Sequence, residues 1–316
     1  MIPVIPRWSL AFFAARESLD TLTRSLQAGV NACTGVPACI DVLVNGNLAL
    51  AKAAVALIAG LDLPSSVTVR LWHIKLGDKA HAWNQFLHQI ADDGALAFFV
   101  DGYVQVRPDA FRLIDAGLEE NLQALAATGV PTVGKSADAL RRQMLASGGL
   151  HGNLYAIRPE VIALLKARAF RLPVGLYRND SLLGAVLNYN LDPVRCTWEP
   201  ARVLVHPRAT WGLHADPMSF QQRIRVHVKR LIRQSQGALE NRAVRDHLSL
   251  QRRAPEALPA MVSTLVGGWV ANHRRDAFRM FLRNPLTRFA YDKLRRPPNL
   301  IGIDVPPELL ASRNAS

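Results

Sequence analysis

The chain has 316 residues, of which 49% are hydrophobic and 20% are charged, a composition that excludes a disordered chain and allows one large core. Its formal net charge is +13, and residues 201–300 hold 19 Lys and Arg against 6 Asp and Glu. The rest of the chain is therefore near neutral, and the basic third predicts a surface that attracts a polyanion such as nucleic acid, anionic lipid or an acidic glycan.

The first 110 residues alternate between short apolar runs and helical patterns. The apolar runs predict strands at 8–15, 40–44, 67–74 and 96–100. The helical patterns predict helices at 17–28, 47–60 and 78–91. Strands separated by helices of this length imply right-handed crossovers, so we predict an α/β fold with a mostly parallel sheet flanked by helices.

The second half of the chain alternates less regularly. Pro108 predicts the start of a helix that runs to about Thr128 and ends at Gly129. Later patterns predict strands at 153–157 and 202–205, and helices from residue 158 and over 180–187. From Pro297 onward the sequence predicts a loosely held tail.

The end of the fourth predicted strand is the most informative segment. The apolar run delivers Asp101 to its end, Gly102 breaks the strand, and Tyr103 follows. Ligands of open α/β sheets bind at the carboxyl ends of the strands, so Asp101 is predicted to face an activated donor. The alternative is a purely structural cap at the strand end.

Two further turns place polar residues after strands. Asn45 and Asn47 follow the second strand, where they can reach a base or ribose, or form an Asx turn that caps the next helix. Lys79 and Asn84 follow the third strand. The helix start near Asp78 can face phosphate through its free N–H groups, or Lys79 is a solvated surface lysine.

Acceptor chemistry is predicted from a glycine pair and a helix start. Gly149, in a Gly–Gly pair, allows close approach of a ligand to the backbone. Asp180 opens a predicted helix, where it can act as a general base on a hydroxyl or serve as a plain N-cap. His151, His206 and His214 are candidate metal or phosphate contacts, or structural histidines.

Taken in order, these motifs resemble the GT-A-type nucleotide-sugar glycosyltransferases, in particular the inverting family 2. The matching segments span about residues 8–190 and are 14–17, 45–47, 78–84, 101–103, 148–152 and 179–183. The resemblance implies a GT-A-like, Rossmann-type fold. It also implies transfer of a sugar from a nucleoside diphosphate to an acceptor hydroxyl with inversion, in cell-envelope glycan or glycolipid synthesis.

The resemblance assigns roles residue by residue. It implies catalytic roles for Asp180, as the base, and for Asp101. It implies donor binding by Ala15, Arg16, Glu17, Asn45, Asn47, Lys79, Asn84, Val100, Asp101, Gly102 and Tyr103. It implies acceptor binding by Gly149, His151, Asn179 and Asp180.

A divalent metal, Mn²⁺ or Mg²⁺, is the cofactor that the resemblance implies, with Asp101 and His206 as candidate ligands. Tyr103, however, stands where the family's Asp-x-Asp motif has its last Asp, and tyrosine is a poor ligand for these metals. The departure predicts a metal-free variant in which cations meet the charge of the leaving phosphates. Candidates are Lys79, Arg178, His206, Arg208 and the arginines from Arg223 onward.

The C-terminal region is predicted as a helical, basic extension over residues 216–316, following a catalytic domain over residues 1–215. Its helical segments at 221–236 and 272–283 mix arginines with apolar residues. Such helices either lie on an anionic membrane or pack on the catalytic domain. No uncharged apolar stretch reaches the ~20 residues of a membrane span, and the unpaired cysteine pattern favours a reducing compartment. We therefore expect a cytoplasmic protein, with peripheral attachment to the inner membrane face, and a glycan or lipid-linked acceptor.

Other classes remain open at this stage. A nucleic-acid-binding protein would use the +13 charge, but the basic region lacks aromatic interleaving and a recognition motif. A sugar-1-phosphate nucleotidyltransferase would need a Gly-x-Gly-x-Arg loop near the first strand, where residues 14–17 stand instead. A non-catalytic relative of the GT-A fold is compatible with Tyr103.

Overall fold

The computed structural model describes residues 6–132, 137–213 and 220–314. Within these residues the chain forms one nine-stranded sheet flanked by helices. The strands are β1 (Trp8–Ala14), β2 (Ala38–Asn45), β3 (Val67–Ile74), β4 (Leu96–Asp101), β5 (Val104–Val106), β6 (Ala126–Pro131), β7 (Leu154–Ile157), β8 (Val203–Leu213) and β9 (Glu308–Asn314). The predicted α/β class is confirmed.

The helices occupy the predicted crossovers and most of the C-terminal region. They are α1 (Leu19–Ala32), α2 (Leu48–Gly60), α3 (Lys79–Gln85), α4 (Ala110–Glu120), α5 (Ala137–Ser147), α6 (Pro159–Ala167), α7 (Asn179–Asn188), α8 (Phe220–Arg245), α9 (Val262–Asn272), α10 (Arg274–Arg283) and α11 (Pro285–Leu294). Short π-helical turns extend α3 and α8. Throughout the described ranges, every helix is too short or too polar to cross a bilayer.

The strand order is β5-β8-β6-β7-β4-β1-β2-β3-β9. Strands β3, β2, β1 and β4 run parallel, whereas β7 is antiparallel to both of its neighbours. The register pairs Asp101 with Phe13, Ala14 with Val44, and Asn45 with Ile74. The carboxyl ends of these four strands therefore meet at one rim of the sheet, which is where polar residues follow the strands.

Strand β4 is buried on both faces, and this explains its continuous apolar run. Phe98 packs with Trp8 and Phe111 on the side covered by α1, α2 and α4. Phe99, one residue later, stacks on Tyr155 and Trp83 on the opposite side. Alternate residues of the strand thus anchor two separate cores, and Asp101 is held rigidly at its end.

Two sequence predictions are wrong. The helix expected to run to Thr128 ends at Glu120, and Ala126–Pro131 is strand β6, paired with β7 and β8. Gly129 lies inside that strand. A Cβ at this position would come within 2.7 Å of the Ala209 carbonyl oxygen, which explains the glycine. A short apolar run does not by itself distinguish a buried strand from a helix.

The expected loose tail is also ordered. Residues 308–314 form β9, which pairs antiparallel with β3 at the edge of the sheet. An exposed edge strand offers a row of unpaired N–H and C=O groups, and a following segment of the same chain satisfies them. Pairing across the sheet edge was not visible in the composition of the tail.

The C-terminal helices share a core with the sheet. Leu239 and Leu248 from α8 and its π-helical extension, together with Val266 and Trp269 of α9, belong to the apolar cluster that contains Trp83. Further along, α10 is mostly exposed, and Ala277 is its only fully buried residue among those described. Packing against the sheet and its helices therefore accounts for α9 and the second half of α8, and leaves most of α10 facing solvent.

Candidate active site

Asp101 occupies the end of β4 in the middle of the rim, where it is 9% exposed. The next residue, Gly102, donates its N–H to the Phe13 carbonyl oxygen at 2.8 Å. A Cβ on Gly102 would lie 2.9 Å from that oxygen, so only glycine allows the chain to turn this close to β1. The turn directs the Asp101 carboxylate and Tyr103 toward one another.

Both oxygens of the Asp101 carboxylate are occupied by protein donors. The ammonium of Lys79, the first residue of α3, forms an ion pair with Oδ1. The Tyr103 hydroxyl donates to Oδ2 at 2.8 Å and also lies 3.2 Å from Asn153 Oδ1. The Lys79 ammonium is 5.5 Å from the centroid of the Phe13 ring, a cation–π distance.

Tyr103 stays a hydrogen-bond donor at neutral pH. More than a third of the residue is exposed, but its hydroxyl end is packed against Asp101. Burial of that end, and then the negative charge of Asp101, raise the pKa of Tyr103 well above its usual value. The phenol is therefore neutral, and it cannot supply the second negative charge of an Asp-x-Asp motif.

Asp180 lies in the first turn of α7 and is fixed by two backbone groups. Its Oδ2 accepts the N–H of Gly152 at 2.9 Å, and its Oδ1 accepts the N–H of Ser181 at 2.9 Å. The first of these bonds joins α7 to the segment before β7. The carboxylate is thus oriented by the backbone, and each oxygen retains a lone pair that can accept a proton.

His151 precedes Gly152, which donates its N–H to Asp180, and Asn153, whose carbonyl oxygen accepts the N–H of Asp101 at 3.4 Å. The His151 ring packs against Trp211, with centroids 5.1 Å apart, and its Nδ1 accepts the N–H of Asn153 at 3.3 Å. Burial lowers the pKa of His151, while the negative charges of Asp180 and Asp101 act in the opposite direction. Because Gly152 contacts Asp180 and the next residue, Asn153, contacts Asp101, the structure brings Asp101 and Asp180 to the same part of the rim.

The loop that precedes Asp180 is held by two acids, Asp78, which is half-buried, and Glu240, which is fully buried. Asp78 caps α3 through the His81 N–H at 2.8 Å, and its other oxygen accepts the Gly175 N–H at 3.0 Å. Glu240 of α8, which is 0% exposed, accepts the N–H groups of Tyr177 and Arg178. Burial raises the pKa of both carboxyls.

Glu240 was missed at the sequence level. A single acid in the arginine-rich helix α8 was a usable signal, because an isolated carboxylate in a basic segment needs a specific partner. Next to its loop, the side-chain amide of Asn179 is buried and makes no hydrogen bond among the described residues. Buried polar groups are usually paired, so this amide leaves hydrogen-bonding capacity beside Asp180.

Several residues predicted to bind the nucleotide-sugar donor form or support the turn after β1. Asn45 donates to the Ala14 carbonyl at 3.0 Å and Asn47 to the Ala15 carbonyl at 2.9 Å. Asn47 also caps α2, as the Asx alternative predicts. Glu17 accepts the backbone N–H groups of Ala15 and Arg16, and Arg16 is exposed. These residues support the rim beside Asp101 through the backbone.

Three other residues predicted to bind the donor or the acceptor have structural roles in the fold. The Asn84 amide makes both of its hydrogen bonds with the backbone of Leu172, at 2.9 and 2.8 Å, so the structure brings it to that loop. Val100 is fully buried within β4. Gly149 has a positive φ of 95°, but a Cβ there would meet no atom within 4 Å, so backbone conformation rather than close approach explains the glycine.

His206 is not brought to Asp101. Its imidazole packs against Gly117 of α4, and its Nδ1 accepts the backbone N–H groups of Arg208 and Ala209. Burial and Arg208 lower the pKa of His206, while the acids that act on it are Glu120 and Asp109. Its contacts are those of a structural histidine. His214 lies outside the described residues.

The residues around Asp101 do not fit a divalent metal. A cation there would have to displace the Lys79 ammonium or the Tyr103 hydroxyl from the only carboxylate of the motif. Metal ions of this type bind oxygen ligands and are repelled by a neighbouring ammonium. A separate cluster of metal-binding residue types lies elsewhere among the described residues.

That cluster consists of Cys39, Asp41 and Asp92, whose ligand atoms lie within 4.8 Å of one another. Arg70 donates to both Asp41 oxygens, at 2.7 and 2.9 Å, and to Asp92 at 3.0 Å. Burial raises the pKa of the Cys39 thiol, which disfavours the thiolate that a metal needs. The Arg70 guanidinium pairs with both carboxylates, so these residues form a partly buried ion-pair network at the edge of the helix that precedes β4.

No protein-family model and no curated protein matches the sequence. A solved mannosyltransferase, PcManGT from Pyrobaculum calidifontis in complex with GDP-Man and Mn²⁺, is similar with a TM-score of 0.51 at 15% identity, over 96% of this chain and 87% of that chain. The fold is that of the GT-A glycosyltransferases.

Two weaker similarities are also found. Glucosyl-3-phosphoglycerate synthase from Mycobacterium tuberculosis, solved with Mn²⁺, UDP-Glc and phosphoglyceric acid, has a TM-score of 0.47 at 12% identity, over 76% of this chain and 78% of that chain. TarS from S. aureus, in complex with UDP-GlcNAc, has a TM-score of 0.45 at 13% identity, over 91% and 90%. At these identities the similarity concerns the fold.

Proposed function

We propose that this protein transfers a sugar from a nucleoside-diphosphate donor to the hydroxyl of an acceptor. The observation that carries the proposal is that Asp180 and Asp101 contact the adjacent residues Gly152 and Asn153 at the carboxyl rim of the sheet. A similar fold binds GDP-Man in PcManGT. Ligands of such sheets bind at this rim, so donor and acceptor would meet between the two carboxylates.

On the donor side, Asp101 and Tyr103 orient the ribose or sugar, and the turn of Ala15, Arg16 and Glu17 borders the nucleotide. On the acceptor side, Asp180 is the general base, with Asn179 and His151 beside it. The acceptor oxygen gives its proton to an Asp180 oxygen while it forms a bond to the anomeric carbon. The bond from that carbon to the diphosphate breaks, and the diphosphate leaves with the electron pair. A single displacement of this kind inverts the anomeric configuration, as in family 2.

The test is a panel of nucleotide sugars, with binding measured by thermal stabilisation and transfer by release of nucleoside diphosphate. We expect Asp101→Ala and Asp180→Ala to abolish transfer while the fold is retained, and Asp62→Ala, an exposed acid outside the rim, to leave it unchanged. Full activity in both rim variants contradicts the site. Salt-sensitive RNA binding without any nucleotide-sugar effect favours the nucleic-acid alternative.

We also propose that the acceptor is a cell-envelope glycan or glycolipid, reached from the cytoplasmic face of a membrane. The supporting observation is helix α10, where Phe278 and Leu282 are 62% and 67% exposed and one turn apart. The exposed Arg275 and Arg279 flank them. Exposed apolar residues bordered by arginines fit an anionic lipid surface.

This second proposal is tested by cosedimentation with phosphatidylcholine vesicles, with and without phosphatidylglycerol. Binding that requires phosphatidylglycerol and is lost in Phe278→Glu/Leu282→Glu supports it. The matched control is Leu122→Glu, at a residue that is 82% exposed outside the C-terminal region. Binding that ignores anionic lipid, or no binding at all, contradicts the membrane proposal and leaves the transfer proposal intact.

A further inference from the structure

We infer that the ammonium of Lys79 donates hydrogen bonds to the donor's diphosphate, so that donor binding needs no divalent metal. The inference rests on the proposed function, because it concerns the same donor. It differs from what the fold suggests, since PcManGT was solved with GDP-Man and Mn²⁺.

The ion pair places its cation outermost. The Lys79 side chain is 37% exposed, whereas that of Asp101 is 12% exposed. An ammonium group has three N–H donors, and the described contacts use it for one carboxylate oxygen. Asp101 is thus the more buried partner of the ion pair, and the described contacts of the ammonium leave N–H donors available to a ligand.

The position of Lys79 is fixed by its surroundings. The residue before it, Asp78, caps α3 and also holds the backbone of Gly175. The ammonium lies above the Phe13 ring, so the stem of the side chain runs along an apolar surface. A lysine oriented in this way presents a localised positive charge, which binds phosphate well.

Charge balance around Asp101 supports the same conclusion. A motif with two carboxylates carries two negative charges and attracts a divalent cation. Here Tyr103 is neutral, because burial and Asp101 raise its pKa, and Lys79 cancels the charge of Asp101. This group of three residues carries no net negative charge, so it has little attraction for Mn²⁺ and accepts a diphosphate without repulsion.

The alternative is that Lys79 only stabilises the fold by pairing with Asp101. The two roles differ in ligand specificity. A phosphate contact affects nucleoside diphosphates and leaves the phosphate-free nucleoside untouched, whereas a structural role affects both ligands through stability. Loss of one charge-assisted contact predicts about 10- to 100-fold weaker binding of the diphosphate.

The experiment measures binding of UDP, GDP and the matching nucleosides by calorimetry, in EDTA and in Mn²⁺. We expect the wild type to bind a nucleoside diphosphate equally well in both buffers. Lys79→Met should weaken that binding about 10- to 100-fold without changing nucleoside binding. Lys52→Met, at an exposed lysine on α2, is the matched control and should behave like the wild type.

A gain-of-function variant provides the complementary test. Lys79→Ala/Tyr103→Asp removes the ammonium and restores the second carboxylate, so its diphosphate binding should become dependent on Mn²⁺. Melting temperatures identify any variant that fails to fold, and the comparison of buffers on the wild type remains decisive in that case.

Three results separate the possibilities. Wild-type binding that requires Mn²⁺ overturns the inference and leaves the proposed function standing. If Lys79→Met weakens the binding of the nucleoside and of the nucleoside diphosphate equally, Lys79 has a structural role, and the inference is overturned. If no nucleoside diphosphate binds the wild type in either buffer, the proposed function itself fails, and this inference fails with it.

Discussion

Replacing Glu240 by alanine is expected to loosen the loop that carries Asp180. The carboxylate of Glu240 is fully buried and accepts the backbone N–H groups of Tyr177 at 3.0 Å and Arg178 at 2.9 Å. Gln236 also donates to it at 2.8 Å, but this side chain keeps a second acceptor, the Gly175 carbonyl. The substitution therefore leaves two backbone donors without a partner.

Each buried N–H without an acceptor costs about 1–3 kcal/mol, so the expected loss in the free energy of unfolding is about 2–6 kcal/mol. At about 2 °C per kcal/mol for a chain of this size, the melting temperature falls by about 4–12 °C. Glu240→Gln keeps one acceptor oxygen and should lose less. The assay is thermal unfolding followed by circular dichroism, with transfer rates measured well below the transition.

A melting temperature of Glu240→Ala within 1 °C of the wild type (about 0.5 kcal/mol) would refute the reasoning. We also expect the alanine variant to lower the rate of transfer more than donor affinity, since the loop leads to Asp180 and not to Asp101. An equal loss in both quantities would show that the loop supports the whole rim.

The pH dependence of stability provides a second check on Glu240. Burial raises its pKa above the ordinary 4.5, so the folded protein takes up this proton at a higher pH than the unfolded chain. The stabilisation from this titration is complete below about 4.5 and is lost as the pH rises through the folded pKa. Wild type should therefore gain stability relative to Glu240→Gln as the pH falls from neutral toward 4.5, and urea unfolding measures the gap.

Three further predictions concern the rim. Asp180→Asn should lower the rate of transfer by at least about 100-fold and leave donor affinity unchanged, and calorimetry beside initial rates checks both. Gly102→Ala should destabilise the fold by about 1–3 kcal/mol, because its Cβ meets the Phe13 carbonyl at 2.9 Å; a wild-type melting temperature contradicts this. For His151, burial lowers the pKa below 6.5, so the wild type should lose stability as the pH falls through 6.5 and below, and His151→Gln should lose less over that interval.

Local patterns predicted the first half of the fold well. The strand and helix positions up to residue 101 agree with the structure to within a few residues. Periodicity is a property of neighbouring residues, so it survives without tertiary information. The same reasoning failed at residues 126–131, where an apolar run became a central strand because β7 and β8 lie on either side of it.

The candidate site was predicted in part. The positions of Asp101 at the end of a strand and of Asp180 at the start of a helix agree with the sequence prediction, because such positions can be read locally. Asn84 was assigned to the donor, but its amide binds Leu172, which is 88 positions later in the chain. Glu240 was not identified, since its partners lie more than 60 positions earlier.

The sequence alone predicted the alternating α/β pattern and the rim position of Asp101. It also revealed that Tyr103 replaces an expected carboxylate. Only the tertiary structure revealed that Lys79 pairs with Asp101, that Glu240 clamps the loop before Asp180, and that residues 308–314 complete the sheet edge. The physical reason is the range of the interactions. Periodicity and chain turns act between near neighbours, whereas ion pairs, buried hydrogen bonds and strand pairing join segments that only the folded chain brings together.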